Sequence, residues 1–173
     1  NKNYVRVVSC NTTGLARSLH AVNGFLNGND SGIKEVHATL IRRATDPYDY
    51  KKGPINAIVP EVAIPSHHAP DLQTVMDIPI TTVAIKVPTT LMHVHSVEVK
   101  LAETKGDFNK HEFLEFLQTV PRINLISTKN GLNSTASIIE FARDLGRKRN
   151  DIYELMVWED SITYRNGWLH WIK

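Results

Sequence analysis

A chain of 173 residues, 42% of them hydrophobic, is of a size to fold around one core without disulfide or metal staples. Its 20 Lys and Arg against 18 Asp and Glu leave a net charge of +2, which offers nothing to nucleic acid or a membrane surface and confines anion binding to local sites. A single cysteine excludes an internal disulfide and fits a reducing, cytoplasmic setting, and no apolar run approaches the roughly 18 residues of a membrane span.

The chain opens on Asn1 with neither a methionine nor a signal-type apolar stretch, so its start reads as internal to something longer. Tyr4 to Ser9 alternate and are rich in β-branched residues, the pattern of a strand. Leu15, Leu19, Val22 and Phe25 then recur at helical spacing, and Asn11, Thr12 and Thr13 are cap-type residues, so Cys10 is expected where a strand gives way to a helix. Turn residues fill 24–32, after which 33–44 (IKEVHATLIRRA) resumes strand character and delivers Arg42 and Arg43 at its end.

Seven of the eight prolines lie between Pro47 and Pro88, which predicts a long irregular excursion over 46–77, of the kind that is usually functional or interfacial. Strands are expected at 80–87 and 93–101, the second carrying His93 and His95 on one face by period two. Asn109 and Glu112 suggest a capping box opening a helix through Leu117, 122–127 (RINLIS) a strand, and 134–145 a helix stopped by Gly146. Strands at 153–157, 161–164 and 168–172 follow, the last two joined at Asn166-Gly167, a type I′ hairpin signal. Strands that mostly follow one another with about three helices interposed predict an α+β fold, a largely antiparallel mixed sheet with its helices packed on one face.

Chemistry centres on Cys10. A thiol at a helix N-terminus sits among free backbone N–H groups and the positive end of the helix dipole, which favour the reactive thiolate; the bland alternative is a small buried hydrophobe. A nucleophilic thiol needs a base, and imidazole serves at neutral pH. His93 and His95 are candidates, each equally consistent with a hydrogen-bonded strand histidine; one cysteine and no clustered third ligand argue against a metal site. Arg42 and Arg43, with Ser66, His67 and His68 downstream, form an anion site if the excursion folds back on the strand end, and a solvated surface pair if it does not.

Residues 8–15 (VSCNTTGL), 41–43 (IRR), 52–57 (KGPINA), 65–68 (PSHH), 88–93 (PTTLMH) and 139–144 (IEFARD), taken together and in order, resemble archaeal-type phosphorylating glyceraldehyde-3-phosphate dehydrogenase over nearly the whole chain. The resemblance implies that residues 1–173 are the catalytic domain, with the nucleotide-binding domain and its Gly-rich loop absent from the chain. It implies Cys10 as nucleophile and His93 as acid/base partner, with His95 a structural neighbour. Ser9 and Asn11 correspond to residues flanking the thiol at the substrate, His67 and His68 to a substrate-phosphate pair, and Arg43 to an arginine near the nicotinamide; Arg42 has no firm counterpart. The implied cofactor is NAD or NADP, the implied partners are glyceraldehyde 3-phosphate and inorganic phosphate, and the implied assembly is a homotetramer in which the 46–77 excursion lies near a neighbouring subunit's cofactor. Residues 27–31 (NGNDS) look several residues longer than that family's pattern. Two competing readings share parts of this sequence: a reductase of the aspartate-semialdehyde dehydrogenase type, which keeps the thiol at the strand-to-helix turn, and a cysteine hydrolase or non-catalytic module.

Overall fold

The computed structural model describes residues 7–26, 32–45, 56–102 and 108–173. Apolar side chains every third or fourth position along α1 (Cys10–Phe25) put Leu15, Leu19 and Val22 on one stripe, fully or almost fully buried. That stripe lies on a seven-stranded sheet in the order β2-β3-β1-β4-β7-β6-β5. The strands are β1 (Ile33–Arg43), β2 (Val59–Pro60), β3 (Ile80–Val87), β4 (Val94–Leu101), β5 (Ile123–Ile126), β6 (Leu155–Arg165) and β7 (Trp168–Ile172). The other helices are α2 (His68–Gln73), α3 (Lys110–Thr119) and α4 (Thr135–Asp144).

Period-two alternation decides what each central strand buries. β4 turns His95, Val97, Val99 and Leu101 inward and leaves the residues between them half-buried. β1 contributes Val36, Ala38 and Leu40 to the same core, β7 contributes Leu169 and Trp171, and α2 and α3 close it with Leu72, Phe113 and Leu117. Two pairings are parallel, β1 with β3 and β5 with β6, and the rest antiparallel. Each parallel pair is separated in sequence by a crossover that carries a helix, α2 for the first and α4 for the second.

This is the α+β mixed sheet that the pattern predicts, with two differences. A fourth helix, α2, sits inside the proline-rich excursion. The expected helix over 134–145, here α4, does not join α1 and α3: consecutive β6 residues Met156 and Val157 belong to separate clusters, Val157 to the main core and Met156 to one with Ile126 and Ile138 of α4. Adjacent strand residues point to opposite faces, so α4 packs on the other side of the sheet. Of the strand expected over Tyr4–Ser9, 4–6 lie outside the described residues and Val7, Val8 and Ser9 form no strand; 27–31 and the first part of the excursion lie outside as well. The two strands expected at 153–157 and 161–164 are one strand, β6, with an irregularity between Trp158 and Thr163.

Candidate active site

α1 begins at the cysteine itself. The cap is Ser9, extended at φ −63° and ψ 158°, whose Oγ accepts from the Thr12 backbone N–H at 3.2 Å while its carbonyl accepts from Thr13 N–H at 2.9 Å. Any of Asn11, Thr12 and Thr13 suits that role by residue type; the structure uses Ser9 instead and thereby makes Cys10 the first helical residue, exposed, while Asn11 and Thr12 turn inward. Ser9 engages the N–H groups of Thr12 and Thr13, which leaves those of Cys10 and Asn11 as the first-turn donors nearest the thiol in sequence.

Sheet register brings two distant residues to that end of α1. β1 and β4 run antiparallel with Ile41 opposite Val94 and Leu40 opposite His95, which sets Arg43 beside His93 just before β4 starts. The Arg43 backbone N–H donates to His93 Nδ1 at 3.1 Å. An accepting Nδ1 places the proton of a neutral ring on Nε2, so in this geometry His93 offers a donor at that nitrogen. His93 precedes β4 rather than belonging to it, and only His95 occupies an inward strand position.

His95 is buried, and its Nε2–H donates to Asn11 Oδ1 at 2.9 Å, joining β4 to the residue after the thiol. Burial, reinforced by the positive charges of Lys173 and His93, pushes its pKa down to about 2, so it is a neutral ring whose Nδ1 has no hydrogen-bond partner among the described residues. Lys173 lies opposite it in the ladder and is likewise buried, with Nζ donating to the Gly14 carbonyl and, at 2.8 Å, to Ser18 Oγ. Burial, and secondarily the nearby Arg17, holds this ammonium well below the usual lysine range.

A cavity of about 620 Å³ opens beside these groups. Cys10, Asn11, Arg43, His93 and His95 line it together, and its opposite wall comes from α4 and from the turn at Arg149 and Asn150, both of which have positive φ. Ser9 supports the site from behind as the cap and is not in the lining. His67 and His68 are not in it either. His68 is completely buried, with Nδ1 against Ser66 Oγ at 3.0 Å and Ser66 Oγ against Thr82 Oγ1 at 2.7 Å, and burial together with the charges of His67 and Arg42 lowers its pKa to about 4. His67 is exposed, its ring 3.9 Å from that of His68, and shares Glu61 with Arg42 at 3.4 and 3.5 Å. Arg42, His67 and His68 thus form a cluster of their own, although His68 is near enough to contribute to the field at His95.

Sequence reasoning passed over Lys173, Thr135 and Arg149 as cavity residues. For Lys173 a signal was present: Leu169, Trp171 and Lys173 share one parity, so the lysine follows two core residues inward. Nothing in the sequence marks Thr135 or Arg149.

The cavity thus gathers a thiol at the start of a helix, the imidazole of the residue before β4 and the arginine that ends β1. The profile of the family described as "Glyceraldehyde 3-phosphate dehydrogenase, C-terminal domain" matches residues 9–161. The glyceraldehyde-3-phosphate dehydrogenase of Pyrococcus abyssi is 49% identical over 172 residues, covering 99% of this chain and 48% of the relative. That of Thermoplasma volcanium is 50% identical over 173 residues, covering 99% and 49%. The chain spans about half the length of the curated relatives it matches. Among solved structures, aspartate semialdehyde dehydrogenase II from Vibrio cholerae, complexed with ASA, superposes with a TM-score of 0.58 at 12% identity, covering 95% of this chain and 50% of that one, a likeness of fold. With most of its length matched by the profile and half its residues identical to those of such enzymes, this chain belongs to the glyceraldehyde-3-phosphate dehydrogenase C-terminal domain family.

Proposed function

We propose that residues 1–173 are the catalytic domain of a phosphorylating glyceraldehyde-3-phosphate dehydrogenase, oxidising glyceraldehyde 3-phosphate to 1,3-bisphosphoglycerate in the cytoplasmic reactions of glycolysis and gluconeogenesis. The observation that carries the reading is that Cys10, His93 and Arg43, far apart in sequence, line one cavity at the start of α1. Its volume lies in the ordinary range for small-molecule clefts, and with Arg43 on its wall it fits a three-carbon phosphate beside a nicotinamide ring. NAD or NADP, held mainly by a nucleotide-binding domain outside this chain, supplies the hydride acceptor.

Cys10 Sγ attacks the aldehyde carbon to give a hemithioacetal, with the first-turn N–H groups of α1 and His93 Nε2–H positioned to donate to the developing oxyanion. Loss of hydride from that carbon and of the proton from its hydroxyl leaves a thioester on Cys10. For His93 to take that proton at Nε2, its own proton must reside on Nδ1, so the contact from Arg43 N–H has to open between the two steps. Phosphate then attacks the thioester carbon, the C–S bond breaks, and the acyl phosphate leaves with the thiolate regenerated. Asn11 and Ser9 fix the thiol from either side. His67 and His68 are the proposed substrate-phosphate pair, reached from outside the cavity that holds Cys10, and the proposed assembly of the full protein is a homotetramer.

The test is made on the full gene product, with glyceraldehyde 3-phosphate and with aspartate semialdehyde, each in the presence of phosphate and NAD or NADP. Oxidation of the triose phosphate, its abolition in Cys10→Ser, and a loss of roughly 10²- to 10⁴-fold in kcat for His93→Ala are expected. Turnover of aspartate semialdehyde in preference, or full activity without the thiol, overturns the assignment.

A further inference from the structure

Lys173 and His95 are titratable groups that the proposed chemistry does not consume, and both are buried at the reactive end of α1. A lysine out of water is expensive to keep, and no carboxylate offsets its charge among the groups that act on it. What the fold gains is grip. The two residues are directly opposed, one on β4 and the other just after β7, exchanging both backbone hydrogen bonds: His95 N–H to Lys173 O at 2.8 Å and Lys173 N–H to His95 O at 3.1 Å. Opposed residues of an antiparallel pair send their side chains to the same face, here the face under α1. His95 holds Asn11, and Lys173 holds the Gly14 carbonyl and Ser18 Oγ.

Positions 11, 14 and 18 make one stripe of a 3.6-residue helix. The helix is therefore clamped from its first turn into its third by polar bonds, where a purely apolar contact would let it slide or roll. Cys10 lies one residue off that stripe, so its direction into the cavity follows from the same clamp. Ser18 Oγ also donates to Leu15 O at 3.0 Å, which orients its lone pairs toward the ammonium. The absence of a Cβ at Gly14 is not what admits Lys173, since a methyl there would meet Nζ at an ordinary 3.7 Å; the carbonyl is the attachment point.

We infer that Lys173 is a positioning residue for the Cys10 thiol, acting with His95 as a two-point brace that fixes the axial and rotational setting of α1. The inference rests on Cys10 being the nucleophile proposed above. Misplacing a reacting atom by about 1 Å costs on the order of 10²-fold in rate. In the full gene product Lys173→Met, which keeps the buried stem and removes the donors, is expected to lower kcat by about ten- to a hundred-fold with KM for the aldehyde within about two-fold.

The rate at which iodoacetamide alkylates Cys10 at fixed pH, a readout that needs neither substrate nor cofactor, is expected to fall in parallel. Ser18→Ala, which removes one acceptor and leaves the lysine, is expected to give a smaller fall in the same two quantities, and keeps the test open should Lys173→Met not fold. Retention of kcat and alkylation rate in the folded variants, or a loss of activity that matches only the loss of folded protein, overturns the brace. Failure of the wild-type protein to oxidise the triose phosphate would sink the functional reading instead, and leaves the alkylation comparison standing as the test of the brace.

Discussion

His68 and His95 are imidazoles held neutral in the interior, with pKa values lowered from 6.5 to about 4 and about 2, burial being the larger cause in each. In the unfolded chain both protonate near 6.5. The stability they leave intact is fully present above that pH and is lost as pH falls through the window between about 6.5 and 4, where the unfolded state binds protons that the folded state refuses. The thermal midpoint of the protein is thus expected to drop through that window, while above pH 7 the buried Lys173, its pKa also lowered, makes the midpoint climb as pH rises toward the ordinary lysine range. In His68→Gln, which keeps hydrogen-bonding capacity without titrating, the drop should be shallower, and an equal slope in the variant would remove His68 from the account. At this scale the sequence singled out Cys10, His93 and Arg43, which the structure brings to one cavity, and the runs SCNTT and SHH were the specific ones in combination. It did not disclose that His68 is sealed behind Ser66 and Thr82 while its neighbour His67 is exposed, since adjacency along the chain says nothing about which side of α2 faces the core.

Caps and turns carry the next level. Ser9→Ala removes the acceptor for Thr12 N–H and is expected to cost about 1 kcal/mol of unfolding free energy, read from denaturant titration. The hairpin between β6 and β7 turns on Asn166 at φ 52° and Gly167 at φ 80°, the two positive angles a type I′ turn requires. A Cβ on Gly167 would also come within 2.8 Å of Lys100 Nζ. Gly167→Ala should therefore destabilise by about 1–3 kcal/mol, and a variant with an unchanged midpoint in urea would contradict the strained turn. Alternation and cap residues sufficed to read β3 with its observed ends, α1, and the helix opened by Ser134. α2 escaped because Pro70 within it and the prolines around it disguised a short helix. β6 was read as two strands because 158–160 (WED) interrupt the pattern; Ser161 Oγ donates to Trp158 O at 2.6 Å and accepts from Ile172 N–H at 2.7 Å, so the hydroxyl bridges the irregularity that the pattern reported as a break.

For the molecule as a whole, stability is concentrated where α1 meets the sheet. Leu19, with no exposed surface, lies in that contact, and Leu19→Ala is expected to lower the unfolding free energy by about 2–5 kcal/mol, measured as a shift in the guanidinium midpoint. The class of fold followed from the succession of strands and helices, but the strand order and the two parallel pairings did not, because partner choice depends on which faces the helices cover once the chain is compact. The pairing of residue 95 with residue 173 has a bearing on synthesis as well as on shape. On the ribosome Cys10 leaves the exit tunnel long before β7 exists, and a nascent chain halted ahead of Trp168 carries the thiol, Arg43 and His93 without the strand that leads into Lys173. The sulfur is made before the strand that leads into its brace, so during translation it is a thiol awaiting its site, open to chance oxidation until β7 docks.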